Sequence, residues 1–454
     1  MAKPVPAPLS VAVIGAGWAG CAAAMELARA GHAVTVHEAA RTLGGRARKV
    51  ELDGTMLDNG QHILLGAYRE TLRLIKLSGQ DPQALILDLP LQMRYPEGSG
   101  GMDFVAPRWP APLHLAWALL RTKGLARADK VALLRFSSAM RWMGWQLYND
   151  CTVSELLQRF DQTERLTALM WRPLCLAALN TPPERASARV FVNVLRDSLG
   201  ARRRSASDML IPKTDLSALF PEAAARYVER HGGQVRLGAK VQVLHALADG
   251  RWQLDDTDAY DRVVLATSSS QAASLLASAG EPAVDAVIAQ LQAFTHEAIS
   301  TCYLRYDGTV RLGLPFYALA DAPAQAHWGQ FVFDRGQLDA RQAGLLAVVI
   351  SASGAAAAQG HEALALAVAA QLAQVLHMPQ LAQPAWTQVI TEKRATFACT
   401  PDLPRPGNAT GLPGLVLAGD YTAGDYPATI EAAVRSGVQA ASLVCQIKTA
   451  GTKA

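Results

Sequence analysis

Hydrophobic and polar positions change period several times along the chain, and each change predicts an element. From Leu9 to about Arg48 an apolar run, a Gly-rich turn, an Ala-rich stretch, Gly31 and a second apolar run form one βαβ unit. Between about Arg108 and Leu199 period-two alternation is missing. Leu, Ala, Trp and Arg recur there at helical spacings, as in Leu113 to Leu120 and Leu156 to Leu179, which predicts a helical insertion. A helix is expected over Leu216 to His231, stopped by Gly232-Gly233. Short strands follow at Val235 to Leu237, Lys240 to Leu244 and, after the Asp249-Gly250 turn, Arg251 to Leu254. Arg262 to Thr267 reads as a buried parallel strand feeding a helix from Gln271. Strands at Thr301 to Tyr306, Gln330 to Phe333 and Leu346 to Ile350, with a helix over His361 to Leu376, indicate a second sheet-based lobe.

The expected fold is therefore α/β (α+β). A Rossmann-like dinucleotide-binding domain is assembled from 1–95, 205–275 and 390–454, and a discontinuous sheet-plus-helix substrate domain from 96–204 and 276–389. A length of 454 residues agrees, because one hydrophobic core rarely serves so long a chain.

Composition narrows the partners. Half of the residues are hydrophobic and 18% are charged, which excludes disorder and leaves an apolar surplus suited to an apolar ligand. A net charge of +4 without a basic, aromatic-interleaved tract argues against nucleic acid. The six cysteines are scattered, with no C-x-x-C pair or His cluster, so no metal site is expected and the thiols read as reduced, in a cytoplasmic compartment. The short Pro-rich lead before the first strand leaves no room for a secretion signal. Leu345 to Ala358, the most apolar stretch, is too short to span a bilayer and is broken by Ser351, Ser353 and Gly354. Any membrane contact is expected to be peripheral.

The chemistry-bearing motifs sit at the two ends. Gly15, Gly17 and Gly20 place G-x-G-x-x-G between strand and helix, where missing side chains permit a tight turn and a helix N-terminus faces a pyrophosphate. The alternative is a turn required only for packing. Glu38 ends the second strand, where a carboxylate accepts from ribose hydroxyls and repels a 2′-phosphate, disfavouring NADP. Leu43-Gly44-Gly45-Arg46 then resembles the G-G-R signature of the amine oxidase and phytoene desaturase flavoproteins. That resemblance implies FAD, with Arg46 on its pyrophosphate. Gly414 to Gly437 carries the strand, Gly419-Asp420 pair and closing helix of the same superfamily. Asp420 is the implied ribityl or pyrophosphate-side contact. The helix beginning near Thr429 and Ile430 aims its positive end at the flavin N1 and C2 carbonyl. Val241 joins this implied cofactor set. Asp58 to His62 falls where the superfamily runs a loop past the isoalloxazine: Gly60 allows close approach, and His62 is either a catalytic acid or a hydrogen-bonded structural residue.

Leu57 to Tyr68, Trp171 to Leu174, Ala178 to Pro182, Glu392 to Phe397 and Leu417 to Asp420 together resemble the squalene-associated FAD-dependent desaturases of bacterial hopanoid operons. The family's activity implies reductive dehydroxylation of hydroxysqualene to squalene, with His62 and Tyr68 as candidate acids. Trp171 is either a cation-steadying aromatic or plain core. Oxidative polyene desaturation on the same scaffold is the alternative, and a non-catalytic flavin-stabilised lipid carrier a further one. Two departures from amine oxidases accompany this. Thr429 stands where a flavin-facing Tyr is common, and no Cys lies between Tyr421 and Glu431 to tether FAD. Arg108 to Arg141 carries Arg121, Lys123, Arg127, Lys130 and Arg135 with Trp109, Trp117 and aliphatics, which suits an interfacial helix on the inner face of the cytoplasmic membrane or a lid with a solvated basic face. A long-chain isoprenoid is the expected ligand, and upstream squalene-pathway enzymes are possible partners.

Overall fold

The computed structural model describes residues 8–52 and 54–446; most of the Pro-rich lead lies outside them. Strand β1 (Ser10–Ile14), helix α1 (Trp18–Arg29) and strand β2 (Ala33–Glu38) form the opening βαβ unit. They belong to an all-parallel five-stranded sheet in the order Gln234–Leu237, β2, β1, Arg262–Leu265, Leu415–Leu417. Three distant chain segments thus meet in one Rossmann-like sheet.

Helix α1 is buried almost all round because it is wedged between that sheet, the helix Pro221–Arg230 and the closing helix Ile430–Gln446. Its Ala-rich composition follows from that crowding. A Cβ on Gly20 would stand 1.9 Å from the Gly15 carbonyl oxygen, and one on Gly437 2.1 Å from that of Ala19.

The second lobe rests on an antiparallel sheet in the order Phe316–Ala318, Phe331–Asp334, Leu345–Ser351, His296–Arg305, Trp386–Phe397. One face packs on the helix His361–Val375, and the other looks toward the cofactor lobe. The insertion is helical as expected, with Leu113–Arg121, Arg127–Trp142, Val153–Arg159, Arg172–Leu179 and Ala188–Ser198. A π turn at Thr167–Trp171 joins two of its helices. Pro173 has no N–H for the Leu169 carbonyl, which instead accepts from the Tyr95 hydroxyl at 2.9 Å.

Two expected elements differ. The helix expected over Leu216 to His231 is broken at Phe220, because Pro221 starts a new helix and cannot continue the old one. Lys240 to Leu244 is not a strand until Leu244: the Asp255 carboxylate takes the N–H groups of Gln242 and Val243, at 3.0 and 2.9 Å, before any neighbouring strand can. Among the described residues no helix is long and apolar enough to cross a membrane, and no side-chain cluster could hold a metal ion.

Candidate active site

A cleft of about 540 Å³ runs along the carboxyl ends of the parallel strands, where open α/β sheets bind ligands. Gly15, Gly17, Glu38, Gly44, Gly45, Arg46, Val241, Gly419, Asp420, Thr429 and Ile430 line it. Gly20 does not; its place is the α1 contact described above. Gly15 has φ +101°, and a Cβ there would lie 2.5 Å from the Ala266 oxygen, so the turn after β1 requires glycine. Gly17 caps α1 without any side chain over the first-turn N–H groups. The paired glycines of G-G-R have a packing reason: a Cβ on Gly45 would be 3.1 Å from the Gly17 Cα, and Gly44 donates to the Ala16 carbonyl at 2.9 Å. Two glycine turns lie back to back. Glu38 ties them to β2, accepting from the N–H groups of Ala16 at 2.7 Å and Ala40 at 2.8 Å.

Arg46 joins the two ends of the sequence. Its Nη2 lies 2.6 Å from Asp420 Oδ1, and its Nη1 donates to the Ala395 carbonyl at 2.7 Å. The loop carrying Asp420 is held from behind by Arg405, whose guanidinium donates to the carbonyls of Asp420, Tyr421, Thr422, Gly424 and Tyr426. Ser436 accepts from the Gly419 N–H at 3.0 Å, fixing the same loop to the closing helix. Thr429 caps that helix by accepting from the Ala432 N–H at 3.2 Å.

A second chamber of about 300 Å³ opens beside the first. Its wall is mostly apolar, with Met93, Met102, Phe104, Met170, Leu174, Phe191, Phe331 and Phe333 prominent. The two spaces share Arg46, His62, Glu392, Ala395, Ala428, Thr429 and Ile430, which form a throat between them. Gly60 and Tyr68 line the apolar chamber and not the cleft.

His62 sits half-buried in the throat, its Nδ1 2.7 Å from the Gly60 carbonyl. A carbonyl only accepts, so Nδ1 carries the hydrogen and Nε2 presents its lone pair. Burial lowers the imidazole below its ordinary value, with the Gly60 contact opposing, so the ring is neutral near pH 7. The Tyr68 phenol is pushed well above its ordinary value, mainly by burial and further by Glu431, and it stays protonated as a hydrogen-bond donor. Trp171 is elsewhere. It is 1% exposed, donates to Gln162 at 3.0 Å and packs on Phe136 and Phe191, in the core of the helical lobe and outside both chambers. Its aromatic face meets protein, not ligand.

The loop before His62 is fastened from below. The Tyr303 hydroxyl donates to the Asp58 carbonyl at 2.9 Å, and the buried Arg335 donates to the Gln61 side chain at 2.9 Å. The Asp58 carboxylate accepts from the Leu216 N–H at 2.9 Å, and burial pushes it up from 3.8 to about 7. Between those two values the native chain keeps a proton that the unfolded chain has released. Stability from this group therefore declines as pH rises from about 4 to about 7. Asp58→Asn, which keeps the Oδ1 acceptor, is expected to flatten that part of the stability profile in urea titrations at several pH values.

Sequence reasoning missed Arg405 and gave Glu392 no role. Arg405 lies between Pro404 and Pro406, and nothing in that short context signals a residue that gathers five carbonyls.

The model of the family described as flavin containing amine oxidoreductase matches residues 18–445. A hydroxysqualene dehydroxylase of Rhodopseudomonas palustris is 31% identical, covering 96% of this chain and 98% of the relative. A chloroplastic/chromoplastic zeta-carotene desaturase of Arabidopsis thaliana is 24% identical over 96% of this chain and 85% of its own. Among solved structures, cyclohexylamine oxidase from Brevibacterium oxydans shares the fold with a TM-score of 0.69 at 18% identity, covering 97% of this chain and 99% of that one. The cleft fits FAD on its own geometry. Glycine turns leave α1 open to an anion, the closing helix starts at the cleft wall, Arg46 lines it, and the buried Tyr421 hydroxyl there has no partner among the described residues.

Proposed function

Because the chain belongs to the flavin containing amine oxidoreductase family and is an FAD-dependent oxidoreductase, we propose that it reductively removes the allylic hydroxyl of hydroxysqualene, giving squalene and water. The observation that carries this reading is the throat: an apolar chamber suited to an isoprenoid opens onto the dinucleotide cleft beside His62 and the start of the closing helix. Reduced FAD, when bound, supplies the hydride, and one proton converts the hydroxyl into water.

The chain's own residues do the rest. The Gly15 and Gly17 turn and the α1 N-terminus take the pyrophosphate, and Glu38 takes the ribose hydroxyls. Arg46 and Asp420 hold the middle of the cofactor, and Val241 closes the cleft on the β2 side. Thr429 and Ile430 bring the positive end of the closing helix to the ring, while Gly60 keeps the chamber wall thin. Phe331 and Phe333 line the chamber where Trp171 does not and offer faces to an allylic cation. Apolar walls exclude the water that would capture such a cation.

Delivery from a membrane belongs to the same proposal. Leu113, Trp117, Leu120, Leu134 and Trp142 are exposed, Leu120 at 70% and Trp142 at 90%, on the same pair of helices as Arg121, Arg127, Lys130 and Arg135. This composition suits peripheral docking on an anionic cytoplasmic leaflet. At about 0.8 kcal/mol per buried methylene, a long isoprenoid does not cross open water to reach its enzyme. A neighbouring squalene-pathway enzyme on the same leaflet would hand over its product there.

The likeness to zeta-carotene desaturases favours a second reading, oxidative desaturation of a polyene. Anaerobic incubation separates the two. Photoreduced enzyme with hydroxysqualene is expected to give stoichiometric squalene and oxidised flavin. Bleaching of oxidised flavin by a polyene would support desaturation instead, and unchanged absorbance with either ligand would leave only a carrier.

A further inference from the structure

Resting on the dehydroxylation reading, we propose that Glu392 is the acid that protonates the departing hydroxyl, and that Asn59 is the positioning residue that orients its carboxyl group. Among the described residues, three ionisable side chains line both spaces at the throat: Arg46, His62 and Glu392. Arg46 is a permanent cation spent on Asp420 and the Ala395 carbonyl. His62 spends its one hydrogen on Gly60 and turns a lone pair outward. Tyr68 lines the apolar chamber with its hydroxyl beside Thr429 at the edge of the throat, but burial makes its phenol a still weaker acid.

Glu392 is differently placed. It sits in the long strand Trp386–Phe397 where the pairing with His296–Arg305 is irregular: Ile299 faces Glu392, yet Glu297 faces Thr396. Between these pairs lie three residues on one strand and one on the other, and a bulge of this kind re-aims the side chains beside it. The carboxylate accepts from Asn59 Nδ2 and from the Arg394 N–H, each at 3.3 Å. Among the described residues no Lys or Arg lies within ion-pair distance of it, and Arg46 attracts it from across the throat while bridged to Asp420. Asn59 is itself anchored, donating to the Arg46 carbonyl at 3.0 Å.

The step balances. The carboxyl proton moves to the hydroxyl oxygen, the allylic C–O bond breaks with its electron pair on oxygen, and water leaves. The hydride required by the dehydroxylation reading forms the new C–H bond, so the carbon is reduced and FAD oxidised. The Glu392 carboxylate then recovers a proton from solvent.

The test compares wild type, Glu392→Gln and Glu392→Asp holoenzymes, each photoreduced anaerobically and mixed with hydroxysqualene or with its allylic acetate, whose leaving group departs without protonation. Glu392→Gln is expected to hold FAD at wild-type stoichiometry and to slow flavin reoxidation by the alcohol at least about 100-fold. It should react with the acetate at close to the wild-type rate. Glu392→Asp, which keeps a carboxylic acid, should turn over the alcohol at a rate between those of wild type and Glu392→Gln. If Glu392→Gln stays within about threefold of wild type on the alcohol, or is equally slow on the acetate, Glu392 is not the acid. If wild type itself yields no squalene, the dehydroxylation reading falls and this inference with it.

Discussion

Arg405→Ala is expected to purify without FAD and to lose about 4–5 kcal/mol of stability in urea titration, the upper end for a single substitution. Arg405 holds Asp420, Tyr421, Thr422, Gly424 and Tyr426 by their carbonyls, and its guanidinium lies 4.9 Å from the Phe397 ring centroid. Each hydrogen bond from a charged donor is worth about 1.5–3 kcal/mol, so losing even part of the set is severe. The loop it organises presents Asp420 to Arg46, which makes cofactor retention the sensitive readout. Arg405→Lys should rescue little, because an ammonium is a point donor and cannot replace a planar fork reaching five acceptors. Wild-type FAD content in Arg405→Lys would show that the charge, and not the fork, organises the loop.

Gly20→Val should fail for a different reason. Its Cβ would overlap the Gly15 carbonyl at 1.9 Å and press the Ala266 Cβ at 3.1 Å, residues at the ends of two neighbouring strands that both line the cleft. Neither neighbour is the free end of a flexible side chain, so α1 must move off the sheet. Overpacking of this kind costs about 1–3 kcal/mol and sometimes more. The larger effect is expected on FAD affinity, a loss of at least about tenfold by fluorescence titration, because the α1 N-terminus swings away from the pyrophosphate position. Gly31→Val, where a Cβ meets nothing within 4 Å but φ is +87°, serves as a comparison and should affect stability alone.

The parts of this molecule that follow from short sequence windows were legible before any coordinates. The βαβ unit, the glycine turns and the closing helix are local patterns, and apart from Gly20 their motif residues gather at one cleft. The Lys240 to Leu244 strand was misread because a single carboxylate, Asp255, competes for its N–H groups from outside the window. Trp171 shows a second limit. An aromatic at helical spacing looks the same whether it faces a ligand or a core, and here Phe136, Phe191 and Gln162 claim it. The throat was not legible as a unit. Arg46, His62, Glu392 and Thr429 come from four separate stretches, and only folding the antiparallel sheet against the parallel one brings them together. Every hydrogen bond that Arg405 makes to its loop goes to a backbone carbonyl, which leaves no trace in residue type.

The most direct measurement is a crystal structure of the FAD holoprotein with squalene bound. The account predicts the isoalloxazine at the throat among Arg46, His62, Glu392 and Thr429, with an isoprenoid carbon within about 3.5 Å of flavin N5 and the chain running back between Met93, Phe331 and Phe333. A ring seated away from that throat, or squalene held outside the apolar chamber, would contradict it.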